Sequence, residues 1–65
     1  MSKKEQEAIA KKLLTVRRER RWNLRRMASA IGVSIATLSR AENAIFSSEN
    51  SQSVFQIRKF LESVS

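Results

Sequence analysis

The apolar positions of this chain recur at helical spacing in four segments. The first segment, residues 3–20, carries Ile9, Leu13, Val16 and Arg20 at spacings of four, three and four. Such spacing brings side chains to one face of an α-helix. The pattern therefore predicts a first helix over 3–20, with charged residues on its other sides.

The next two predicted helices are short and close together. Asn23 is suited to cap a helix over 24–31, because its side chain can accept a free N–H of the first turn. Gly32 then has the position of a left-handed C′ residue, and Ser34 is suited to cap a further helix over 35–43. The inner faces of the two helices are marked by Met27, Ala28, Ile31, Leu38, Ala41 and Ile45.

A polar loop is predicted over residues 46–53, followed by a last helix over 53–62. Ser51 or Ser53 is the candidate cap of this helix. Its apolar stripe is formed by Val54, Ile57, Leu61 and Val64, with Phe60 beside it. Strands need turns rich in glycine and proline, and this chain has one glycine and no proline. The predicted fold class is therefore all-α.

The charge balance favours a polyanionic partner. Lysine and arginine total 13 against six acidic residues, which gives a formal charge of +7 over 65 residues. Nucleic acid is the first candidate and an anionic membrane surface the second. A surplus of charge that only aids solubility is the alternative.

The chain lacks the side chains on which most catalytic and metal sites depend. It contains no cysteine and no histidine, so no thiolate or imidazole can bind a metal or activate a serine. We therefore expect no metal, no cofactor and no enzymatic activity. The longest apolar runs are two or three residues, and the first seven residues lack an apolar stretch. These features predict no membrane span and no secretory signal, and a cytoplasmic location, at the nucleoid when DNA is bound.

Residues 23–43 carry the functional pattern. Two helices joined by a three- or four-residue turn meet at a steep angle, which leaves the second free to enter a DNA major groove. Such a turn needs one residue with positive φ, and Gly32 supplies it. Ala28 is small enough for a close crossing of the helices, and Val33 can anchor the turn in the core.

Residues 27–43 read Met-Ala-Ser-Ala-Ile-Gly-Val-Ser-Ile-Ala-Thr-Leu-Ser-Arg-Ala-Glu-Asn. This segment resembles the Cro/C1-type helix-turn-helix family (the XRE group), and a weaker likeness extends over residues 9–61. The resemblance implies a compact domain of four helices, or five with a short extra turn, spanning 1–65. It also implies sequence-specific binding of double-stranded DNA by a dimeric regulator of transcription, of phage, plasmid or bacterial type.

The resemblance implies roles for individual residues. Those matching its base-contacting positions are Ile35, Ala36, Ser39 and Arg40. Arg40 is the strongest candidate, because a guanidinium can bond O6 and N7 of guanine together; a solvated surface arginine is the alternative. Arg17 and Glu42 match a buried ion pair of the family that orients the second helix of the motif.

Phosphate contacts are expected from an arginine-rich segment, residues 17–26, which holds six arginines. We expect Arg21, Arg25 and Arg26 to face DNA, and the resemblance adds Asn23 and Asn43. Thr37 either supports the start of its helix or contacts the DNA backbone. The complete set of expected phosphate contacts is Arg21, Asn23, Arg25, Arg26, Thr37 and Asn43.

Three positions depart from the family pattern within its helices and turns. Leu24 replaces a glutamine that often binds phosphate, so that contact is expected to be absent. Arg21 and Ala44 replace turn glycines, which leaves open a different end to the helix before Ala44.

The last helix suggests how two protomers could associate. Many relatives continue into a fifth helix where this chain stops, which leaves Phe55, Phe60 and Val64 without obvious cover. They either fill the core, as is simplest for Phe60, or form a two-fold homodimer contact.

Two other functions stay open. A protein-interaction module, such as an antitoxin or antirepressor, would use the apolar last helix to bind a protein partner. A basic amphipathic membrane binder would use residues 3–21, although its apolar face is thin.

Overall fold

A computed structural model of the chain describes residues 2–46 and 51–64, which form four α-helices without a strand. The helices are α1 (Lys3–Arg20), α2 (Leu24–Ile31), α3 (Ile35–Glu42) and α4 (Ser51–Val64). The all-α class and the four-helix count are confirmed for these residues. None of the helices within them is long and apolar enough to cross a membrane.

The first three helices start where side chains can cap them. Ser2, Asn23 and Ser34 each precede a helix, and each side-chain oxygen accepts the backbone N–H three residues later, at 3.2, 2.8 and 3.1 Å. A helix leaves its first N–H groups without internal partners, so such a bond fixes where it begins. The predicted starts of α2 and α3 are confirmed by their caps.

The turn between α2 and α3 consists of Gly32, Val33 and Ser34. The backbone N–H groups of Gly32 and Val33 donate to the carbonyl oxygen of Ala28 at 2.8 and 3.0 Å, which closes the end of α2. Gly32 has φ 92° and ψ 31°, in the left-handed region. A Cβ built on Gly32 would meet no atom within 4 Å. Glycine is therefore favoured here because of the backbone torsion angle, and not because a side chain would lack room.

The core draws one large, fully buried side chain from each helix. These four side chains are Leu13, Met27, Leu38 and Ile57. Smaller or slightly less buried apolar residues surround them: Ile9, Ala10, Ala28, Ile31, Ala41 and Leu61. Among the described residues, no polar or charged residue is buried as a whole, although the side chain of Glu42 is only 7% exposed. Helix α3 packs against α1 and α2, and α4 also packs against both, so all four helices share a single core.

The prediction that Ile45 faces inward is wrong. Its side chain is 58% exposed, whereas Phe46, which we placed in the polar loop, packs against the core. The cause is Ala44, whose φ of 59° places it in the left-handed region. Helical periodicity ends with Asn43, so Phe46 and not Ile45 turns toward the core. The chain after α3 therefore has the left-handed backbone conformation that glycine usually adopts, although the residue at this position is alanine.

Helix α4 is longer than expected. The sequence predicted residues 53–62, and the structure gives Ser51–Val64. The polar segment before it offers several serines and no single cap signal, so its start was ambiguous. Arg20 also departs from expectation: it shares the spacing of the apolar stripe of α1, but it is exposed at the end of that helix.

Replacing Ala44 by glycine should stabilise the protein. Positive φ is sterically unfavourable for alanine and not for glycine. The greater freedom of glycine in the unfolded chain offsets part of this gain in stability. We expect Ala44→Gly to raise the free energy of unfolding by about 0.5–1 kcal/mol. The matched control is Ala8→Gly within α1, which should cost about 1 kcal/mol because a helix interior disfavours glycine. Thermal unfolding followed by circular dichroism measures both; a loss of stability in Ala44→Gly would contradict the argument.

Candidate nucleic-acid interface

The outer face of α3 projects away from the core. It is formed by Ile35, Ala36, Ser39 and Arg40, which lie on one side of a helix with 3.6 residues per turn. Leu38 and Ala41 are buried on the other side. Ile35, Ala36 and Arg40 are exposed and Ser39 is half-buried. The structure thus brings the four predicted base-contacting residues together on an accessible surface.

The arginine-rich segment, residues 17–26, forms a basic corner where α1 turns into α2. Arg18, Arg20, Arg21, Arg25 and Arg26 are all exposed, and Glu19 is the one acidic residue among the ten. Arg21 ends α1 in the left-handed conformation, with φ 54°. An exposed concentration of positive charge of this kind attracts polyanions over a distance set by the ionic strength.

The sixth arginine of the segment, Arg17, joins this corner to α3. Its Nε donates to Oε2 of Glu42 at 2.8 Å and its Nη2 donates to Oε1 at 3.1 Å. A third bond runs from its Nη1 to the carbonyl oxygen of Trp22 at 3.4 Å. The Glu42 side chain is 7% exposed and the Arg17 side chain 25%. The contact expected between these two residues is therefore present, and its two-pronged geometry fixes the orientation of α3.

The three uncharged residues predicted to contact phosphate all form hydrogen bonds within the protein. Asn23 uses Oδ1 to cap α2, which leaves its amide N–H groups available. The Thr37 hydroxyl accepts a bond from Ser34 Oγ at 2.8 Å and retains its own proton for donation. Asn43 donates from Nδ2 to the Ser39 carbonyl oxygen at 2.8 Å, across the end of α3. Each residue holds a helix end in shape and keeps a donor for another acceptor.

Sequence reasoning did not identify a contact between Trp22 and two arginines. The guanidinium carbon of Arg20 lies 5.1 Å from the centroid of the indole ring, and that of Arg26 lies 5.2 Å from it. Both distances are within the range of cation–π attraction. Arginines stand two positions before the tryptophan and four positions after it, but the turn between α1 and α2 lies within this stretch, so helical spacing does not indicate the contact.

The three residues predicted for a dimer contact do not share one face. Phe55 and Val64 are two and a half helical turns apart, so they lie on opposite sides of α4. Phe55 is 58% exposed, and Val64 is half-buried. Phe60 packs against the core of its own protomer, which is the first of the two alternatives that the sequence left open for it.

Across residues 2–46 and 51–64, no group of acidic side chains is placed to hold a metal ion. A small cleft beside α3, about 30 Å³ in volume, is lined by Thr37, Arg40, Ala41, Ile45, Phe46, Ser53, Val54 and Ile57. Comparison of the chain with protein-family models, curated proteins and solved structures finds no match in any of the three.

Removing the carboxylate of Glu42 should destabilise the fold. Glu42→Ala would leave the half-buried Arg17 guanidinium without its anion, and stranding a charge in this way costs about 2–4 kcal/mol. The control is Glu5→Ala, which breaks an exposed ion pair with Arg58 of 3.2 Å and should cost under about 1 kcal/mol. Chemical denaturation of both variants gives the comparison. Equal effects of the two substitutions would show that the Arg17–Glu42 pair does not hold α3.

Proposed function

We propose that the chain binds double-stranded DNA with sequence preference, as a small regulator of transcription, by placing α3 in the major groove. The observation that carries this proposal is the division of α3 into a buried face and an exposed face. Leu38 and Ala41 hold the helix to the core, and none of the four outer residues is needed for packing. The major groove is about 12 Å wide and admits one α-helix.

The chemistry of the outer face suits base edges. Arg40 is exposed and has no ion-pair partner among the described residues, so its guanidinium is available to a guanine. Ser39 can donate to or accept from a base, and Ile35 offers an apolar surface for a thymine methyl group. A mixture of one fork-shaped donor, one hydroxyl and two apolar side chains discriminates between bases better than uniform positive charge would.

The basic corner supports the same function because it adjoins α3. Arg17 contacts both Glu42 at the end of α3 and Trp22 in the turn after α1. The exposed arginines of this corner therefore stand in a fixed relation to the helix that would read the bases. Contacts to phosphate set the register of a protein on DNA, and contacts to bases set its specificity.

The size of the protomer supports a homodimer on DNA. The described Cα atoms extend 28 Å along the longest axis. Successive major-groove half-sites on one side of DNA are about 34 Å apart, so a single protomer would not reach two of them. Two copies related by a two-fold axis would present two α3 helices to an inverted repeat. Phe55 is the predicted dimer residue with the most exposed side chain.

Selection of bound sequences from random duplex DNA tests sequence preference. We expect the purified protein to recover a recurrent motif, and Arg40→Ala to weaken binding to it by about 1–3 kcal/mol while relaxing the preference at one base pair. The matched control is Arg58→Ala on α4, which should leave the motif unchanged. Recovery of no motif, together with co-purification of a protein partner, would favour the protein-interaction alternative.

Sedimentation of the protein with a recovered duplex tests the homodimer. We expect two protomers per inverted repeat and one per isolated half-site. Phe55→Ser should weaken binding to the repeat more than to the half-site if α4 forms the contact. A single protomer on every duplex, at high micromolar concentrations of protein, would rule out the two-fold arrangement.

A further inference from the structure

Trp22 contacts two arginines, Arg20 and Arg26, that form no ion pair with another described residue. The ion pairs of the described residues join Arg17 to Glu42 and Arg58 to Glu5, and neither Arg20 nor Arg26 takes part in one. Their guanidinium carbons both lie near the same indole ring, so they are no further apart than about 10 Å. Two like charges at this distance repel each other, and an anion placed near both would relieve the repulsion.

The ring that carries these arginines is fixed in place. The backbone N–H of Trp22 donates to the Arg17 carbonyl oxygen at 3.1 Å, and its own carbonyl oxygen accepts from Arg17 Nη1. Its side chain is half-buried and packs against the core. The backbone of Arg26 is held as well, because its N–H donates to Asn23. A long arginine side chain usually loses conformational freedom on binding, and stacking on a fixed ring reduces that loss.

We propose that Arg20, Trp22 and Arg26 form a phosphate grip, in which the indole ring positions two guanidinium groups to bind the phosphate backbone of DNA. The inference rests on the proposed DNA-binding function and adds two residues to it. Arg20 becomes a phosphate-binding residue, and Trp22 becomes a positioning residue that touches the arginines rather than the DNA.

The link through Arg17 favours the DNA backbone over a free phosphate ion. The same guanidinium bonds the Trp22 carbonyl oxygen and the Glu42 carboxylate, so the grip is tied to the end of α3 by one side chain. A phosphate bound by the grip would thus fix the position of α3 relative to that strand. A free ion would gain nothing from this connection, since it occupies the grip alone.

Fluorescence gives a direct test, because Trp22 is the only tryptophan and the chain has no tyrosine. A mixed-sequence duplex of about two helical turns, added at low salt, should change the emission of Trp22 as it binds. Arg20→Gln combined with Arg26→Gln should remove most of this change. The matched control, Arg18→Gln, removes one exposed arginine of α1 that does not stack on the ring and should preserve the change.

A fluorescent label on the duplex reports binding independently, through its anisotropy. Binding by anisotropy with constant Trp22 emission would overturn the grip and leave DNA binding intact. No binding by anisotropy at low salt would instead overturn the proposed function. Inorganic phosphate at the same phosphate concentration should leave the emission unchanged; an equal response would make the grip a site for free phosphate and overturn its assignment to DNA.

A double-mutant cycle tests whether the ring positions the arginines. Arg20→Gln should lower the dependence of log K on log salt by about 0.9 and weaken duplex binding. In a Trp22→Leu background, the same substitution should cost about twofold to fivefold less, because the stacking is already lost. The cost of Arg18→Gln should be the same in both backgrounds. Additive effects for Arg20 and Trp22 would contradict a positioning role.

The Trp22 substitution also affects the core, so folding is measured for each variant by circular dichroism. Trp22→Phe keeps an aromatic ring of weaker cation–π attraction and serves if Trp22→Leu does not fold. The cost of Arg20→Gln to duplex binding should be smaller in the Trp22→Phe background than in the wild-type chain. An undiminished cost in Trp22→Phe would contradict the role of the indole ring.

Discussion

The ion pair between Arg17 and Glu42 connects the parts of this structure that would otherwise be independent. Helix α3 is eight residues long and would be marginal by itself. Two buried side chains attach it to the core, and the charged pair then fixes its rotation and its distance from α1. The third bond of the same guanidinium sets the turn that carries Trp22. The orientation of α3 and the position of the basic corner therefore depend on one side chain.

Stability and the proposed recognition of DNA depend on different faces of the same short helix. The core is small and apolar, and each helix gives it one large, fully buried side chain, so a truncation at Leu38 would remove one of its four largest side chains. Ser39 and Arg40, which follow directly in sequence, contribute almost nothing to that core. A small domain has little stability to lose. Because the two faces are separate, the outer residues can change at little cost to folding.

The sequence predicted most accurately those features that depend on local chemistry. Ser34 and Asn23 mark helix starts because their side chains satisfy backbone groups, and Gly32 marks an end because it tolerates positive φ. The predicted bounds of the first two helices match the structure to the residue. The contact between Arg17 and Glu42, 25 positions apart in sequence, was accessible through the family resemblance and not through local pattern.

The predictions were wrong where a residue adopts a backbone conformation that is unusual for its type, or where the sequence has no local pattern that indicates the structure. Ala44 takes a conformation that alanine disfavours, so periodicity could not show that Phe46 rather than Ile45 turns inward. The start of α4 lacked a distinct cap. The stacking of Arg20 and Arg26 on Trp22 requires three side chains from two helices and their turn, and no spacing rule describes it. The sequence left open whether Phe55 and Phe60 are covered, because exposure of Phe55 and packing of Phe60 against the core depend on how α4 rotates against its neighbours.

The turn at Gly32 depends on handedness and not on size. The space around its Cα is open in the direction of a side chain, and the difficulty for any ordinary substitution lies in the torsion angle. A mirror-image residue prefers positive φ, just as an L-residue prefers negative φ. A D-alanine introduced at this position by chemical synthesis would favour the positive φ that this turn requires and would restrict the unfolded chain more than glycine does. The bend is therefore a site where the chirality of a single residue, with composition otherwise almost unchanged, changes the strain of the turn between the two helices.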